Sequence, residues 1–537
     1  MASKTRQFFL NALSLTATAL IIRGVGVIFN VYISNRAGSE AMGLYSLLGS
    51  VYGFSITLAC AGVNLGTTRL VSDALGLGNI ALARKSARKA ILFCVVTGAV
   101  ASLLLFLLSE PIGVGLLGDA RAISSLRILA TTLIPVAVCS CLSGYFTAVR
   151  RVKVNAAFQI IIQLAKIALT AALLSLVPNL DAEAACIALV VGGAISEFIS
   201  LLITFALYLH DLKKLKMGNR VVKQKTGTPI LKNLIAITLP VTVSACIRSA
   251  LSMFQHILVP RGLHKSGKSW SAALSSYGAL HGMALPLILF PSALVSASAG
   301  LLIPEVSEFC VQNDGERLKR VSYRALTAAL VFSIGVSGIM LFFSHEFGVL
   351  VYHNEETARY IRILAPLIPV MYIDSAADAV LKGSGHQVYS MNINIIDTLS
   401  ACILALTLIP KIGIQGYIIS IYATEMLNTA LSLSKMMSVS KIKTSVFHQV
   451  AMPIICIIGA TNLSKLMLLP LLVLLGDVAA LVLGIIITVL IYVLLLYLTK
   501  TIGRDERELI YASVLSEKQY DKKFRSGNAL IQLNKKP

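Results

Sequence analysis

A chain of 537 residues that is 56% hydrophobic and 13% charged, with a mean hydropathy of +0.81, carries more apolar surface than a water-soluble particle encloses, so its solvent is lipid. Its 47 Lys and Arg against 25 Asp and Glu leave a formal net charge of +22. Those cations sit in short loops beside apolar stretches with no interleaved aromatics, which argues against a nucleic-acid partner and for topogenic charge facing anionic headgroups.

Crossing a hydrocarbon core of ~30 Å takes about 20 helical residues, and stretches of that kind run from about 8 to 33, 43 to 70, 89 to 109, 123 to 148, 154 to 177, 184 to 209, 231 to 259, 271 to 303, 325 to 344, 358 to 381, 388 to 409, 414 to 435, 447 to 470 and 476 to 499. The expected fold is therefore an all-α polytopic membrane protein of fourteen spans, the eighth interrupted by Pro286 and Pro291. Span 1 follows only Lys4 and Arg6, is too long for the apolar core of a signal peptide and lacks a small-residue cleavage site, so it is read as a retained helix. Arg84-Lys85-Arg88-Lys89, Arg150-Arg151-Lys153, the stretch from Lys213 to Lys232 and Arg317-Lys319-Arg320-Arg324 fall on one side. The acids Asp181, Glu183, Glu355 and Glu356 fall on the other. The positive-inside rule then gives both termini a cytoplasmic position. One loop on the expected outer face, Arg261 to Lys268, is basic and runs against that rule.

The chain also repeats itself. Arg127 to Val136 reads RILATTLIPV, and Arg362 to Val370 reads RILAPLIPV about 235 residues later. Val71-Ser72-Asp73 is echoed by Val306-Ser307-Glu308, Ser86-Ala87-Arg88 by Ser322-Tyr323-Arg324, Arg23 by Arg248 and Arg36 by Arg261. Two lobes of six spans follow, 1–213 and 231–436, joined by a polar connector at 214–230 and followed by two further spans within 447–500 and a charged cytoplasmic tail at 501–537. Six is even, so the two copies point the same way and are related by an axis along the membrane normal. In such proteins the substrate sits between the halves near mid-membrane and rocking of the lobes changes access.

Charges inside spans are costly, about 2.5 to 3.5 kcal/mol on insertion scales, and tend to face a wet cavity or a partner. Arg23 and its repeat mate Arg248 present a guanidinium from the same place in the first helix of each lobe, and two such forks suit a phosphate or pyrophosphate; each paired with an acid for structure alone is the plainer alternative. Arg69, near the cytoplasmic end of span 2, guides entry or simply snorkels. His281, in a proline-containing span, is a further candidate lining residue, although it and His256 also read as ordinary polar packing. Lys166 and Glu197 read as an internal pair. Asp374 and Asp378 share a face of span 10, with Asn392, Asn394 and Asp397 on span 11 and Glu425 on span 12, a set of hard oxygens for Na⁺ or H⁺ coupling. The nine cysteines have no metal spacing and read as packing residues. Gly262 to Ser269, GLHKSGKS, satisfies the Walker A pattern but lies between two spans rather than between a strand and a helix, so no ATP is expected there. No cofactor and no catalytic constellation is evident, which makes an enzyme the less favoured class.

The run RGVGVIFNVYISNRAGSEAMGLYSLLGSVYGFSITLACAGVNLGTTRLVSDA, Arg23 to Ala74, resembles the family of stage V sporulation protein B and the polysaccharide exporters, within the superfamily that also holds MurJ-type lipid II flippases and drug-extruding MATE carriers. Arg23, Ala37-Gly38, Gly43-Leu44-Tyr45 and Arg69-Leu70-Val71-Ser72 carry the likeness, and the two-lobe plan extends it over essentially the whole chain. The resemblance implies a bacterial cytoplasmic-membrane flippase, acting as a monomer among membrane lipids, that turns an undecaprenyl-pyrophosphate-linked saccharide such as a peptidoglycan precursor to the outer leaflet. It also implies that spans 13 and 14 provide a groove for the polyprenyl tail. Unlike MurJ-type proteins, the chain has one mid-membrane Arg in span 1 and none in the middle of spans 2 or 8. A cation-coupled drug exporter of the MATE type would want acids where span 1 offers Arg23. A non-transporting scaffold for wall or spore-cortex synthesis is the remaining alternative.

Overall fold

The computed structural model describes residues 2–177, 181–216, 230–442, 447–468 and 476–499. The expected connector, apart from residues 214–216 and 230, and the expected tail lie outside the described residues.

Among the described residues every regular element is helical, as lipid demands, because a spanning backbone must satisfy its own hydrogen bonds. Helix α1 (Ala2–Cys60) holds spans 1 and 2, separated by a break at Gly38, whose backbone lies at φ 78° and ψ 171°. Span 2 breaks again at Gly62 (φ 73°) and resumes as α2 (Val63–Gly76). The first lobe continues with α3 (Ile80–Leu107), a π-helical turn at Pro111–Leu117, α4 (Ala122–Ala148), α5 (Val152–Leu176) and α6 (Ala182–Lys216). The second opens with α7 (Ile230–Lys265) and a span in pieces: α8 (Trp270–Tyr277), a π-helical stretch Gly278–Ala284, α9 (Leu285–Leu289) and α10 (Ser292–Val311). Then come α11 (Gly315–Phe342), the short α12 (Ser344–Glu346), α13 (Glu355–Leu364), α14 (Ile368–Gly383), α15 (Gln387–Ile412), α16 (Ile414–Ser440), α17 (Met452–Leu468) and α18 (Asp477–Leu498).

Among the described residues thirteen helical stretches are long and apolar enough to cross a membrane, where the sequence leads to fourteen. Spans 1 and 2 count together as Arg23–Gly76, while the interrupted eighth span counts twice, as Trp270–Leu289 and Ser292–Val311. The 27-residue α16 is not among the thirteen. Its polar Ser420, Thr424, Asn428 and Ser432 are buried against its own lobe, so its hydropathy is low although its length is ample. Elsewhere large apolar side chains point outward, as Ile28, Leu202 and Leu490 do, the pattern of a lipid-facing surface.

The first lobe is centred on α4, where Leu126, Leu133, Leu142 and Tyr145 are fully buried and the Tyr145 hydroxyl donates to Asp211 Oδ2 at 2.9 Å. Asp211 also pairs with Arg151, tying α4 to the end of α6. The second lobe is centred on α14, whose Tyr372 is buried and donates to Ile288 O at 2.9 Å. Helices α17 and α18 lie against α11, where a Cβ at Gly338 would meet Ile457 and one at Gly335 would meet Tyr492; the Tyr492 hydroxyl donates to Val331 O at 2.8 Å.

The lobes meet through glycine. A Cβ on Gly278 would stand 1.9 Å from Ser39 O, and one on Gly43 2.1 Å from Leu274 O, so the second and eighth spans touch backbone to backbone. Helices in lipid gain little from burying apolar surface, and close approach over small residues is what brings them together. At the far end of span 2, Gly66 packs on Thr238 and Leu234 of α7. Gly278→Val is therefore expected to lower the melting temperature of the purified protein by about 5 °C or more, as overpacked contacts cost about 1 to 3 kcal/mol; Gly49→Ala, with open space around its Cβ position, is expected to leave it unchanged.

Candidate substrate site between the lobes

Arg23 reaches across the seam between the lobes. Its Nη1 donates to Ser292 Oγ at 3.3 Å, and the Ser292 hydroxyl itself donates to Leu289 O at 2.6 Å. The next residue, Gly24, faces the Phe290 ring at 3.6 Å from its Cβ position. Arg23 also acts electrostatically on Tyr372. No carboxylate pairs with Arg23 among the described residues.

Arg248 lies on α7 beside Ser249, whose hydroxyl is 3.2 Å from that of Thr57 in the first lobe. Thr57 and Ser292 occupy the same place in the two repeats, at the same spacing as Val71 and Val306. The two contacts are related but not equivalent: Arg23 itself meets Ser292, whereas on the other seam Ser249, next to Arg248, meets Thr57. Among the described residues no hydrogen bond or ion pair joins Arg23 to Arg248, and none holds Arg248 to a carboxylate; each arginine belongs to its own seam. Both side chains are exposed.

Between α1, α7 and the π-helical stretch lies a cavity of about 380 Å³. Ser46, Ser50, Ser249, Ser252, His256 and His281 give it a polar lining. The π-helical turn, a feature often found at functional positions, sets Gly278 and Gly282 against span 2 and His281 in the cavity wall. The His256 and His281 rings are 4.3 Å apart, Tyr277 stacks on His281 at 5.2 Å, and the Tyr277 hydroxyl is 3.2 Å from His256 Nδ1. His281 Nδ1 is buried without a hydrogen-bond partner among the described residues.

Of the acids in the second lobe, Asp374, Asp397 and Glu425 are electrostatic neighbours. Asn428 Nδ2 donates to Asp374 Oδ2 at 3.0 Å and Ser432 bonds the same carboxylate. Asp374 Oδ1 and Asp397 Oδ1 are buried without partners among the described residues. Asp378 is drawn away: Lys382 Nζ lies 2.5 Å from its Oδ2, and Ser390 donates to it. Asn394 Nδ2 donates to Ser390 O at 2.9 Å. No group of three or more His, Cys, Asp and Glu has metal-binding geometry among the described residues. Arg69 is exposed on α2, and Lys166 acts on Glu197 electrostatically. The GLHKSGKS run is the end of α7, a turn and the Ser269 cap of α8, with no strand before it.

Sequence reasoning missed a second polar network that closes one end of the seam. Arg121 Nη1 donates to Glu40 Oε1 at 2.9 Å, and its Nη2 donates to Asp119 Oδ2 at 2.8 Å. Trp270 Nε1 donates to the same Asp119 oxygen at 3.1 Å, Ser271 donates to Glu40 Oε2 at 2.5 Å, and the Ser39 and Ser275 hydroxyls are 2.6 Å apart. The charges lie in the first lobe and the indole and hydroxyl in the second, about 80 and 150 residues apart in sequence, so no local pattern announces them.

This architecture, two lobes of membrane helices meeting at broken spans around a polar seam, defines a multi-pass membrane protein of the MATE fold. Among solved structures, a multidrug resistance MATE family transporter of the MOP superfamily in its inward-facing conformation matches with a TM-score of 0.59 at 14% identity, over 79% of this chain and 99% of that one. A MOP superfamily transporter from Pyrococcus furiosus, described as having a binding pocket of reverse polarity, matches with a TM-score of 0.53 at 16% identity, over 81% and 96%. Stage V sporulation protein B of Bacillus subtilis (strain 168) is 27% identical over 82% of this chain and 86% of its own length, and the uncharacterized membrane protein YabM of the same strain is 21% identical over 74% and 75%. The polysaccharide biosynthesis protein family matches residues 9–310, and the MatE family matches 240–407. The chain belongs to the polysaccharide biosynthesis protein family.

The Asp119 clasp has a pH signature. Burial raises the Asp119 pKa, but hydrogen bonds and charge from Arg121 outweigh it and hold the carboxyl below its usual value of 3.8. A depressed carboxyl stabilises the fold fully above its ordinary pKa and loses that contribution as pH falls through the lower folded value. The melting temperature is expected to be insensitive to Asp119→Asn in its pH slope from roughly pH 8 to 5, and the wild-type fall below about pH 4 is expected to be shallower in the variant.

Proposed function

We propose that the chain is a flippase for an undecaprenyl-pyrophosphate-linked saccharide, a peptidoglycan precursor or a related oligosaccharide, carried from the inner to the outer leaflet of the bacterial cytoplasmic membrane. The observation that carries this reading is Arg23, a mid-span guanidinium that meets the opposite lobe through a serine hydroxyl and no carboxylate among the described residues. A hydroxyl cannot neutralise it, and the geometry of its remaining N–H groups matches the paired oxygens of a pyrophosphate. Arg248 takes the same part on the second seam, Arg69 guides entry, and His281 lines the route for the polar head. The prenyl tail stays in lipid along α17 and α18, and the head passes as the lobes rock about the seam.

With both termini cytoplasmic, as the distribution of Lys and Arg favours, outward movement of an anionic head is assisted by the membrane potential at ~2.3 kcal/mol per charge per 100 mV. Asp374, Asp397 and Glu425 supply the coupling site for H⁺ or Na⁺ in the second lobe. Asp378 and Asn394, engaged by Lys382 and by Ser390, support that site from its edge. One chain suffices. The MATE-type drug exporter and the non-transporting scaffold gain no support from an unpaired arginine at the seam.

Depletion of the protein is expected to accumulate a lipid-linked saccharide in the inner leaflet, identified by mass spectrometry. Complementation with Arg23→Gln at normal membrane levels is expected to leave at least about tenfold less translocation, the scale of a lost charge-assisted hydrogen bond; full rescue would overturn the reading. In proteoliposomes, Glu425→Gln is expected to translocate at a rate that no longer responds to an imposed H⁺ or Na⁺ gradient, while the wild type responds to one of them.

A further inference from the structure

The basic outer loop is unexplained by topology. Arg261, His264 and Lys265 at the end of α7 stand, in the orientation proposed above, on the side where the positive-inside rule disfavours Lys and Arg. They do not form a scattered solvated face. They rim a cavity of about 620 Å³ whose other walls are Trp270 and the apolar Leu258 and Leu406, a volume in the range of small-ligand sites.

The cavity is built in two chemical zones. Its apolar zone faces lipid, since Leu406 is 58% exposed on a membrane-spanning helix. Its polar zone is a cationic rim with a fixed aromatic wall. The indole, the chain's single tryptophan, is held by its bond to Asp119, by Gly118, whose Cβ position is 3.4 Å from Cη2, and by the His264 ring set perpendicular at 5.7 Å. Asp119 behind the indole pairs with Arg121, so the adjacent negative charge is compensated. His264 Nδ1 is engaged at 2.9 Å by Lys268 O, and Lys268 Nζ donates to Ser276 Oγ at 2.8 Å. Arg261 donates one N–H to Gly115 O and keeps further donors. No ion pair engages Lys265 among the described residues.

We propose that this cavity is a binding site for a membrane lipid with a phosphate headgroup, its head held by Arg261, His264 and Lys265 and its chain lying along Leu258 and Leu406. Arginine and lysine recognise phosphate oxygens by charge-assisted hydrogen bonds, and basic pockets beside membrane helices hold lipid phosphates. The proposal rests on the orientation given under the proposed function, but not on transport through the seam. The lipid is either bulk anionic phospholipid or a polyprenyl phosphate carrier, and the two share this chemistry.

The test is lipid retention by the full-length protein in native mass spectrometry, with phosphatidylglycerol, phosphatidylcholine and undecaprenyl phosphate added in turn. Retention of the two anionic lipids is expected to exceed that of phosphatidylcholine and to fall by about tenfold or more in the double variant His264→Ala with Lys265→Glu. Lys265→Arg is expected to retain binding, as is Arg359→Glu, a cation removed elsewhere on the same face. Stronger retention of undecaprenyl phosphate than of phosphatidylglycerol identifies the carrier, and equal retention identifies bulk lipid; both support the site. Arg23→Gln is expected to bind lipid here normally even where translocation fails, which separates this site from the seam. Equal retention by wild type and double variant, equal retention of phosphatidylcholine, or an equal loss in Arg359→Glu overturns the proposal. Should Lys265→Glu not fold, Lys265→Ala read against Lys265→Arg gives the same comparison.

Discussion

A guanidinium within a membrane span must find water, an anion or a partner, because the hydrocarbon charges several kcal/mol for leaving it alone. Arg23 meets that constraint with a serine hydroxyl from the opposite lobe. A hydroxyl positions the charge without cancelling it. Replacing Ser292 by an acid would make a stable pair and leave nothing for a ligand, whereas the present arrangement keeps the cation available where the two lobes part. On the other seam Thr57 meets Ser249, the residue next to Arg248, so there the hydroxyl contact is made by the arginine's neighbour.

One end of the seam is held by close backbone packing and a polar network. Gly43 and Gly278 let two backbones touch, and the surrounding Arg121–Glu40 pair is partly exposed while Asp119 is buried. Partly exposed ion pairs contribute about 0 to 1 kcal/mol each, so that pair orders this end of the seam without locking it. The interruptions at Gly62 and Pro291 divide the two spans that carry these contacts. Their outer and inner halves thereby adjust separately when the lobes move, which is how interrupted helices commonly serve transporters.

Much of this was legible in the sequence. The duplicated RILA…LIPV phrase and the matched Arg23 and Arg248 revealed two lobes, and hydropathy placed nearly every span. The exceptions have physical causes. Span 12 is too polar on its buried face to stand out by hydropathy, and Gly62 divides span 2 without interrupting its apolar character. The site was legible only by residue type. A column of acids at 374, 378, 397 and 425 did not disclose that Asp378 pairs with Lys382 while Asp374, Asp397 and Glu425 are electrostatic neighbours without such a partner ion among the described residues. The clasp around Asp119 was invisible, since it joins residues far apart in sequence through bonds that no periodicity encodes. The basic run Arg261 to Lys268 reads in sequence only as an exception to the charge rule, and the fold alone brings Arg261, His264 and Lys265 to one cavity with Trp270.

The central claim is that the lipid-borne pyrophosphate travels along the seams that carry Arg23 and Arg248. It is tested most directly by photo-crosslinking a polyprenyl pyrophosphate with a photoreactive group on its head, in membranes containing the full-length protein, followed by peptide mapping. The account predicts adducts on the segments around Arg23, Thr57, Ser249 and Ser292, competed away by unlabelled lipid. Adducts confined to the outer faces of helices remote from the seam, such as Leu490 and Leu494 of α18, would contradict it.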